Sequence, residues 1–247
     1  MGNGTDMEAA KVVLITGASR GIGRQLALDC ARNGMSVAVN YVANTAAAQQ
    51  VVDQIEALGG QVHPIQADVG VGTEVNAMVA AVMQRFGRID CVINNAGVGR
   101  ITDLDAINEA HFEQTLRTNL ISAFLVSQAT VPHMIARGGG RLRFMSSLAA
   151  RTGGIVSAAY AASKAGAEGL MHYYATYLLR HKITANAIAP ALIASDIVNE
   201  MDLPPLEKLP LGRLGRPDEV WPAVRMILET EYMTGQTIQI NAGRYMT

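Results

Sequence analysis

The chain has 247 residues, of which 49% are hydrophobic, and its formal net charge at pH 7 is −1. This length fits one large α/β domain or two small ones, with enough apolar side chains for a substantial core. The near-zero charge excludes the strongly basic classes of nucleic-acid-binding and membrane-surface proteins, although it allows local basic patches.

The predicted elements alternate between strands and helices along the chain. The strands, in chain order, are residues 11–16, 35–41, 61–68, 89–97, 141–147, 183–190 and 236–241. The helices end near residues 32 and 58, or span residues 73–86, 108–137 and 158–181. Such alternation predicts a single-domain, Rossmann-like α/β fold in three α/β/α layers, built on a seven-stranded parallel sheet. Right-handed crossovers give a doubly wound sheet, for which we expect the strand order 3-2-1-4-5-6-7.

Outside these elements, residues 1–10 are predicted to be a flexible leader, and residues 11–247 a single domain. The leader lacks the basic and apolar regions of a signal peptide, and no apolar run approaches the roughly 20 residues of a membrane span. We therefore expect a cytoplasmic protein, in which Cys30 and Cys91 are small core residues.

Three glycines follow the first predicted strand, in the stretch TGASRGIG of residues 16–23. Gly17, Gly21 and Gly23 allow the backbone to turn tightly and to approach a pyrophosphate, whose charge the N-terminus of the next helix favours. Alone, the glycines could mark only a tight turn. Between a strand and a helix they predict a dinucleotide site.

The second predicted strand ends at Asn40 and Tyr41, without the acidic residue that holds the ribose 2′-hydroxyl of NAD in dinucleotide folds. Arg20 lies inside the glycine turn instead, where its guanidinium can bind a 2′-phosphate. The alternative for Arg20 is a solvated turn residue, but this does not account for the missing acid. The sequence therefore predicts NADP(H) in preference to NAD(H).

Polar residues and glycine also follow the third and fourth predicted strands. Asp68 and Val69 end the third strand, and Asn95, Ala96 and Gly97 end the fourth. Ligands bind beyond the carboxyl ends of such strands, so these residues are candidates for the adenine and ribose walls. Ordinary turn chemistry is the alternative, because Asp, Asn and Gly all favour turns.

A tyrosine and a lysine stand among small residues in the stretch SAAYAASKAG of residues 157–166. Tyr160 and Lys164 are four residues apart, which makes them neighbours on one face of a helix. By itself the stretch also fits a helix of small residues that packs closely against another element.

Taken together and in this order, the motifs resemble the short-chain dehydrogenase/reductase family. The resembling residues lie between about 11 and 245, and they are TGASRGIG, NNAG, Asn119, Ser147, the Tyr160–Lys164 pair and the proline that ends the sixth strand. Within the family, the closing segments LGRLGRPDEV and TGQTIQINAG are most similar to those of 3-oxoacyl-[acyl-carrier-protein] reductases.

The resemblance implies four catalytic residues. Tyr160 is then the general acid of carbonyl reduction, and Lys164 lowers the pKa of Tyr160 and holds the nicotinamide ribose. Ser147 polarises the substrate carbonyl, and Asn119 anchors a water through which Lys164 exchanges its proton with solvent. The cofactor wall implied by the resemblance also includes Ser19, Ile22, Pro190, Ile193 and Ser195.

The resemblance thus implies an NADPH-dependent reductase of a 3-oxoacyl thioester, bound to acyl carrier protein or coenzyme A, in fatty acid or related polyketide synthesis. A reductase of another ketone and a catalytically inactive NADP-binding protein are the alternatives. We expect no metal site, and we expect a homotetramer or homodimer. Arg137, Arg180 and Lys182 fit a docking patch for the acidic carrier, and equally well cations that stabilise helix C-termini.

Some positions depart from the family pattern. Arg143 lies inside the fifth predicted strand, where a buried parallel strand is normally apolar. Ala191 stands where the family usually has glycine, and Ser195 where it usually has threonine. The proline-rich segment after the sixth strand predicts a substrate lid over residues 191–212, shorter than in the fatty-acid-synthesis reductases. These departures bear on the substrate more than on the chemistry.

Overall fold

A computed structural model of the chain describes residues 10–199, 201, 203 and 205–246. Residues 1–9 of the predicted leader lie outside the described residues, and so do residues 200, 202 and 204 of the predicted lid. The extent of the leader and of the lid therefore stays a prediction.

The strands form one parallel sheet. Their bounds are β1 (Val12–Ile15), β2 (Ser36–Tyr41), β3 (Val62–Gln66), β4 (Cys91–Asn94), β5 (Gly140–Met145), β6 (Ile183–Pro190) and β7 (Thr237–Ile240). Every neighbouring pair is parallel, and the order across the sheet is β3-β2-β1-β4-β5-β6-β7. The predicted fold class and strand order are confirmed.

Helices connect the strands and cover both faces of the sheet. Their bounds are α1 (Gly21–Arg32), α2 (Thr45–Ala57), α3 (Gly72–Phe86), α4 (Glu109–Leu116), α5 (Ser122–Arg137), α6 (Ala149–Thr152), α7 (Ala158–Leu178), α8 (Asp196–Asn199) and α9 (Trp221–Glu229). The helices α3, α5 and α7 pack on one face of the sheet, and α1, α2 and α9 pack on the other. Successive residues of β1 enter the two cores alternately, so a strand covered on both faces is apolar throughout.

The helix predicted over residues 108–137 is divided in two. A π-helical turn at Arg117–Ile121 separates α4 from α5. The wider turn shifts the side chains that follow it around the helix axis, and such turns are frequent at functional sites. Asn119 lies within this turn and its side chain is buried.

The short helices α6 and α8, and the longer α9, have no counterpart among the predicted elements. For α9 the sequence does carry a signal. Val220, Val224, Ile227 and Leu228 are buried and follow the i, i+4, i+7, i+8 spacing of an amphipathic helix. The helices α6 and α8 have only four residues each, too few for any periodic pattern.

Arg143 has hydrogen-bond partners although it lies in a buried strand. Its side chain has no exposed surface, and its guanidinium donates to the carbonyl oxygens of Leu142, Thr184 and Ile227. Ile227 belongs to the last turn of α9, where carbonyl oxygens lack helical partners and favour a cation. Burial lowers the pKa of Arg143 to about 10, which leaves it charged at neutral pH. Arg143 therefore caps the C-terminus of α9.

Candidate active site

A cavity of about 800 Å³ follows the carboxyl ends of the parallel strands. Most of the predicted site residues line it. They are Gly17, Ser19, Arg20, Gly21, Ile22, Gly23, Tyr41, Asp68, Val69, Asn95, Ala96, Gly97, Ser147, Tyr160, Lys164, Pro190, Ile193 and Ser195. Asn40 and Asn119 are buried behind the wall of this cavity.

The glycine turn between β1 and α1 leaves room for a ligand only because two of its residues lack a side chain. Gly17 has a φ of +62°, and a Cβ there would lie 3.0 Å from the Cα of Ala96. A Cβ on Gly23 would lie 2.4 Å from the carbonyl oxygen of Gly17 and 2.5 Å from Nδ2 of Asn95. Backbone atoms cannot yield at such distances, so the tight turn depends on glycine at both positions.

Hydrogen bonds between the ends of β1 and β4 hold this turn in place. The Nδ2 of Asn95 donates to the carbonyl oxygens of Thr16 and Gly17 at 2.9 and 3.1 Å. The hydroxyl of Thr16 accepts from the backbone N–H groups of Asn95 and Ala96 at 3.0 and 2.9 Å. The sequence analysis assigned no role to Thr16, whose importance appears only when the two strands are neighbours.

The structure places Asn40 beneath the glycine turn and away from the cavity. Its Oδ1 accepts from the backbone N–H of Gly17 at 3.1 Å, and its Nδ2 donates to the carbonyl oxygen of Ala67 at 2.9 Å. Asn40 therefore supports the turn from beneath, and the direct cofactor contact predicted for it stays a prediction. The residues that line the cavity after β2 are Tyr41, Val42, Ala43 and Asn44.

Tyr160, Ser147 and Lys164 meet where β5 ends and α7 begins. The side chain of Ser157 caps α7 by accepting from the backbone N–H of Tyr160 at 3.2 Å, which places Tyr160 in the first turn. Ser147 and Tyr160 line the same cavity, and the hydroxyl of Ser147 lowers the pKa of the Tyr160 phenol. The Nζ of Lys164 lies 5.6 Å from the centroid of the tyrosine ring and donates to the carbonyl oxygen of Met145 at 2.7 Å.

Burial is the largest influence on the pKa values of Tyr160 and Lys164. Burial raises the pKa of Tyr160, and the hydrogen bond from Ser147 lowers it to a smaller extent. Burial also lowers the pKa of Lys164 to about 8. Among the chain's own groups, desolvation is therefore the largest influence on the pKa of Tyr160. The lowering expected from Lys164 together with the oxidised nicotinamide stays a prediction.

Asn119 connects the π-helical turn to the end of β4 and to α7. Its Oδ1 accepts from the backbone N–H of Val98 at 2.7 Å, and its Nδ2 donates to the carbonyl oxygen of Val98 and to the hydroxyl of Ser163 at 2.9 and 3.0 Å. A Cβ on Gly97 would lie 3.4 Å both from Oδ1 of Asn119 and from Nζ of Lys164. The candidate residues are thus neighbours, and a water anchored by Asn119 stays a prediction.

The sequence analysis missed much of the wall beyond Tyr160. These residues come from loops and helices that are distant in the chain, and no local motif marks them. They include Val98, Gln114, Thr118, Thr152, Ile155 and Arg244. Within the described ranges, no cluster of three or more His, Cys, Asp and Glu side chains is arranged to hold a metal ion. In the same part of the chain, no helix is long and apolar enough to span a bilayer.

Comparison with known proteins identifies the family. The family model for short chain dehydrogenases matches residues 11–204. The chain belongs to this family. Membership makes it an oxidoreductase acting on CH–OH or C=O groups, with a nicotinamide cofactor.

Several relatives in this family match over nearly their whole length. A protein of Staphylococcus aureus strain Mu50, named 3-oxoacyl-[acyl-carrier-protein] reductase FabG, is 38% identical over 97% of this chain and 100% of its own length. A Synechocystis protein named 3-oxoacyl-[acyl-carrier-protein] reductase is 37% identical over 96% and 98%. The solved structure of levodione reductase superposes with a TM-score of 0.90 at 29% identity, covering 96% of this chain and 98% of the other.

Proposed function

We propose that the chain reduces the 3-oxo group of an acyl thioester with NADPH, in fatty acid or related polyketide synthesis. The observation that carries this proposal is that Ser147, Tyr160 and Lys164 line one cavity, with Lys164 one turn beyond Tyr160 on α7, at the end of a dinucleotide cradle. The relatives named 3-oxoacyl-[acyl-carrier-protein] reductase support the thioester as substrate.

The residues that line the cavity fit a dinucleotide. The glycine turn offers backbone N–H groups and the N-terminus of α1 to a pyrophosphate. Lys164 is placed to hold the nicotinamide ribose, and Ser195 retains a hydroxyl for the carboxamide. The adenine end is formed by Asp68 and Val69. The nicotinamide, when bound, supplies the hydride to the carbonyl carbon.

The chain's own groups handle the oxygen and the proton. The hydroxyl of Ser147 can donate to the substrate carbonyl oxygen and stabilise negative charge as it develops there. The phenol of Tyr160 then donates its proton to that oxygen. Because burial raises the pKa of Tyr160, the phenol is protonated at neutral pH and ready to act as the acid of reduction.

The preference for NADPH is proposed from charge at the adenine end. Arg20 lines the cavity there, and no acidic residue follows β2, where residues 42–44 are Val, Ala and Asn. Asp68 is the acidic residue of the described cavity wall, and its Oδ1 accepts from the backbone N–H of Gly70 at 2.8 Å. An arginine in the glycine turn, together with a segment after β2 that has no acidic residue at positions 42–44, favours a 2′-phosphate.

The positions of Arg137, Arg180 and Lys182 support a docking patch for the acyl carrier protein less well than they support cations that stabilise helix C-termini. Arg137 is the last residue of α5, and Arg180 and Lys182 follow α7. All three lie at the end of the sheet where β5 and β6 begin, whereas the cavity lies where those strands end. With eight residues, β6 spans about 26 Å. Arg137 also forms an ion pair with Asp90. We therefore favour cations at helix ends for Arg137, and we propose no docking role for it in delivering substrate to this chain's own cavity.

We further propose a homodimer or homotetramer that buries an aromatic face. Phe124 of α5, and Tyr173 and Tyr177 of α7, are largely exposed, and both helices cover the same face of the sheet. Aromatic residues that are exposed in a single chain are typical of the surfaces that become buried in the core of an interface. Replacing Tyr177 by Arg should then reduce the mass measured by light scattering.

A second candidate is the reduction of another ketone, which the similarity to levodione reductase favours. The test is a panel of NADPH-dependent rates on acetoacetyl-CoA, longer 3-oxoacyl thioesters and free ketones, cyclic and linear. We expect a kcat/KM on the thioesters at least about 100-fold higher than on the ketones, the order of discrimination that apolar contacts in a pocket give. A higher kcat/KM on a free ketone would favour the second candidate, and NADPH binding without any turnover would favour an inactive cofactor-binding protein.

A further inference from the structure

Glu168 is a buried carboxylate that the proposed reaction does not use. It lies on α7, one turn beyond Lys164, and only 5% of its surface is exposed. Its two oxygens have different partners. The hydroxyl of Ser146 donates to Oε1 at 2.8 Å, and the guanidinium of Arg151 lies 2.6 Å from Oε2.

Ser146 stands between the two residues that connect β5 to the reacting groups. The preceding residue, Met145, offers its carbonyl oxygen to Lys164, and the following residue, Ser147, lines the cavity together with Tyr160. The backbone N–H of Ser146 donates to the carbonyl oxygen of Ile188 at 2.8 Å, so the main chain here is tied to β6. The bond to Glu168 ties its side chain to α7.

Arg151 connects the same carboxylate to the cavity wall. It belongs to α6, and its neighbours Leu148, Ala149 and Thr152 line the cavity. The ion pair between Arg151 and Glu168 therefore holds α6 against α7. One carboxylate thus contacts the peptide segment before Ser147, the helix that carries Tyr160 and Lys164, and the short helix that follows Ser147.

We infer that Glu168 and Arg151 are positioning residues, which set the placement of Ser147 relative to Tyr160 and Lys164. The inference rests on the proposed function, in which these three residues act on one carbonyl. The side chain of Arg151 is 42% exposed, so its ion pair with Glu168 contributes little to stability. The Glu168 carboxylate itself is buried and desolvated, and an apolar residue at such a site is often as stable or more stable. A carboxylate kept here for placement should therefore affect turnover more than stability.

The test compares variants in steady-state kinetics and thermal unfolding. Glu168→Leu removes both contacts, Glu168→Gln keeps an acceptor for Ser146, and Ser146→Ala removes the donor. We expect Glu168→Leu to lower kcat about 10- to 100-fold, the cost of small misplacements of reacting groups, with the KM for NADPH little changed. Glu168→Gln should retain more of kcat than Glu168→Leu. Glu229→Gln is the matched control, since Glu229 pairs with Arg225 on the exposed face of α9.

A double variant gives a readout that a purely structural role would not move. If Ser146 and Glu168 act as one unit, Ser146→Ala combined with Glu168→Leu lowers kcat no further than Glu168→Leu alone. If the double variant instead shows the product of the kcat losses of Ser146→Ala and Glu168→Leu, the inference is overturned. A kcat of Glu168→Leu equal to that of the wild-type protein would also overturn it. The inference is overturned as well if the variants lose kcat only in proportion to the decrease in their unfolding temperature.

All rates are measured on the substrate that wild-type protein reduces best in the panel. If the wild-type protein reduces a free ketone best, the thioester proposal is contradicted. The inference on Glu168 is then tested with that ketone as substrate. Unchanged kcat in Glu168→Leu, on a thioester that the wild-type protein reduces, overturns the inference alone.

Discussion

The Nζ of Lys164 lies 2.7 Å from the carbonyl oxygen of Met145, the last residue of β5. This hydrogen bond joins α7 to the strand whose extension carries Ser147. It also holds the lysine in a buried position, where the ammonium has lost most of its water. The residue that the proposed reaction needs beside the nicotinamide ribose is therefore held at a cost in folding free energy.

Replacing Lys164 by Met should change how stability depends on pH. The pKa of Lys164 is about 8 in the folded chain and has an ordinary value of 10.5, so between these values the unfolded chain binds more protons. Stability of the wild-type chain therefore rises with pH in this window, and it gains about 2 kcal/mol between pH 7 and 9.5 relative to Lys164→Met. Urea unfolding of both proteins at several pH values measures this difference. A difference that does not vary with pH would show that Lys164 is not desolvated as described.

Replacing Gly23 by Ala should impair both the turn and dinucleotide binding. The added Cβ would lie 2.4 Å from the carbonyl oxygen of Gly17, so the turn must shift. We expect a loss of about 1–3 kcal/mol in stability, as for other overpacked sites, and at least about a tenfold weaker NADPH affinity. Thermal unfolding and fluorescence titration with NADPH measure the two effects.

The matched control for this change is Gly34→Ala. Gly34 has a φ of +76° and open space around its Cβ position, and it lies outside the cavity wall. Alanine there should cost about 1 kcal/mol of stability through backbone strain and leave NADPH affinity unchanged. Equal NADPH affinity in the two variants would contradict the role given to the glycine turn.

Replacing Arg20 by Met should reduce the preference for NADPH. The guanidinium is proposed to bind the 2′-phosphate, and a hydrogen bond to a charged group contributes about 1.5–3 kcal/mol. We therefore expect the KM for NADPH to rise about 10- to 100-fold while the KM for NADH hardly changes. Arg24→Met is the control, because Arg24 donates to Gln54 at 3.3 Å and lies outside the cavity wall. If the KM values for NADPH and NADH rise to the same extent in Arg20→Met, Arg20 supports the shape of the glycine turn and does not bind the 2′-phosphate.

The fold and the centre of the candidate site could be predicted because local chemistry marks them. Strands of mostly small and apolar residues, such as β6, which is predicted with the same bounds as observed, reflect burial on both faces of the sheet. The glycine turn and the Tyr160–Lys164 spacing are likewise local. Each of these features depends on residues that are near one another in the chain.

The rest depends on contacts between distant segments. Asn40 lies at the carboxyl end of β2, where cofactor ligands are expected. The pleat of the strand nevertheless directs its side chain beneath the glycine turn. The pKa of Tyr160 follows from burial by several elements, which spacing on one helix does not reveal. Glu168 has its partners in α6 and in the segment that follows β5, and in the sequence it is only a charged residue in a helix of small residues.

The central claim is that Tyr160 donates the proton to a carbonyl reduced at the expense of NADPH. The most direct measurement is the loss of NADPH absorbance with acetoacetyl-CoA for wild-type protein and for Tyr160→Phe, together with NADPH affinity. We expect turnover by the wild-type protein and a kcat lower by about 10²- to 10⁴-fold in Tyr160→Phe, with NADPH affinity unchanged because the ring is retained. Turnover by Tyr160→Phe at a rate comparable to wild type would contradict the claim.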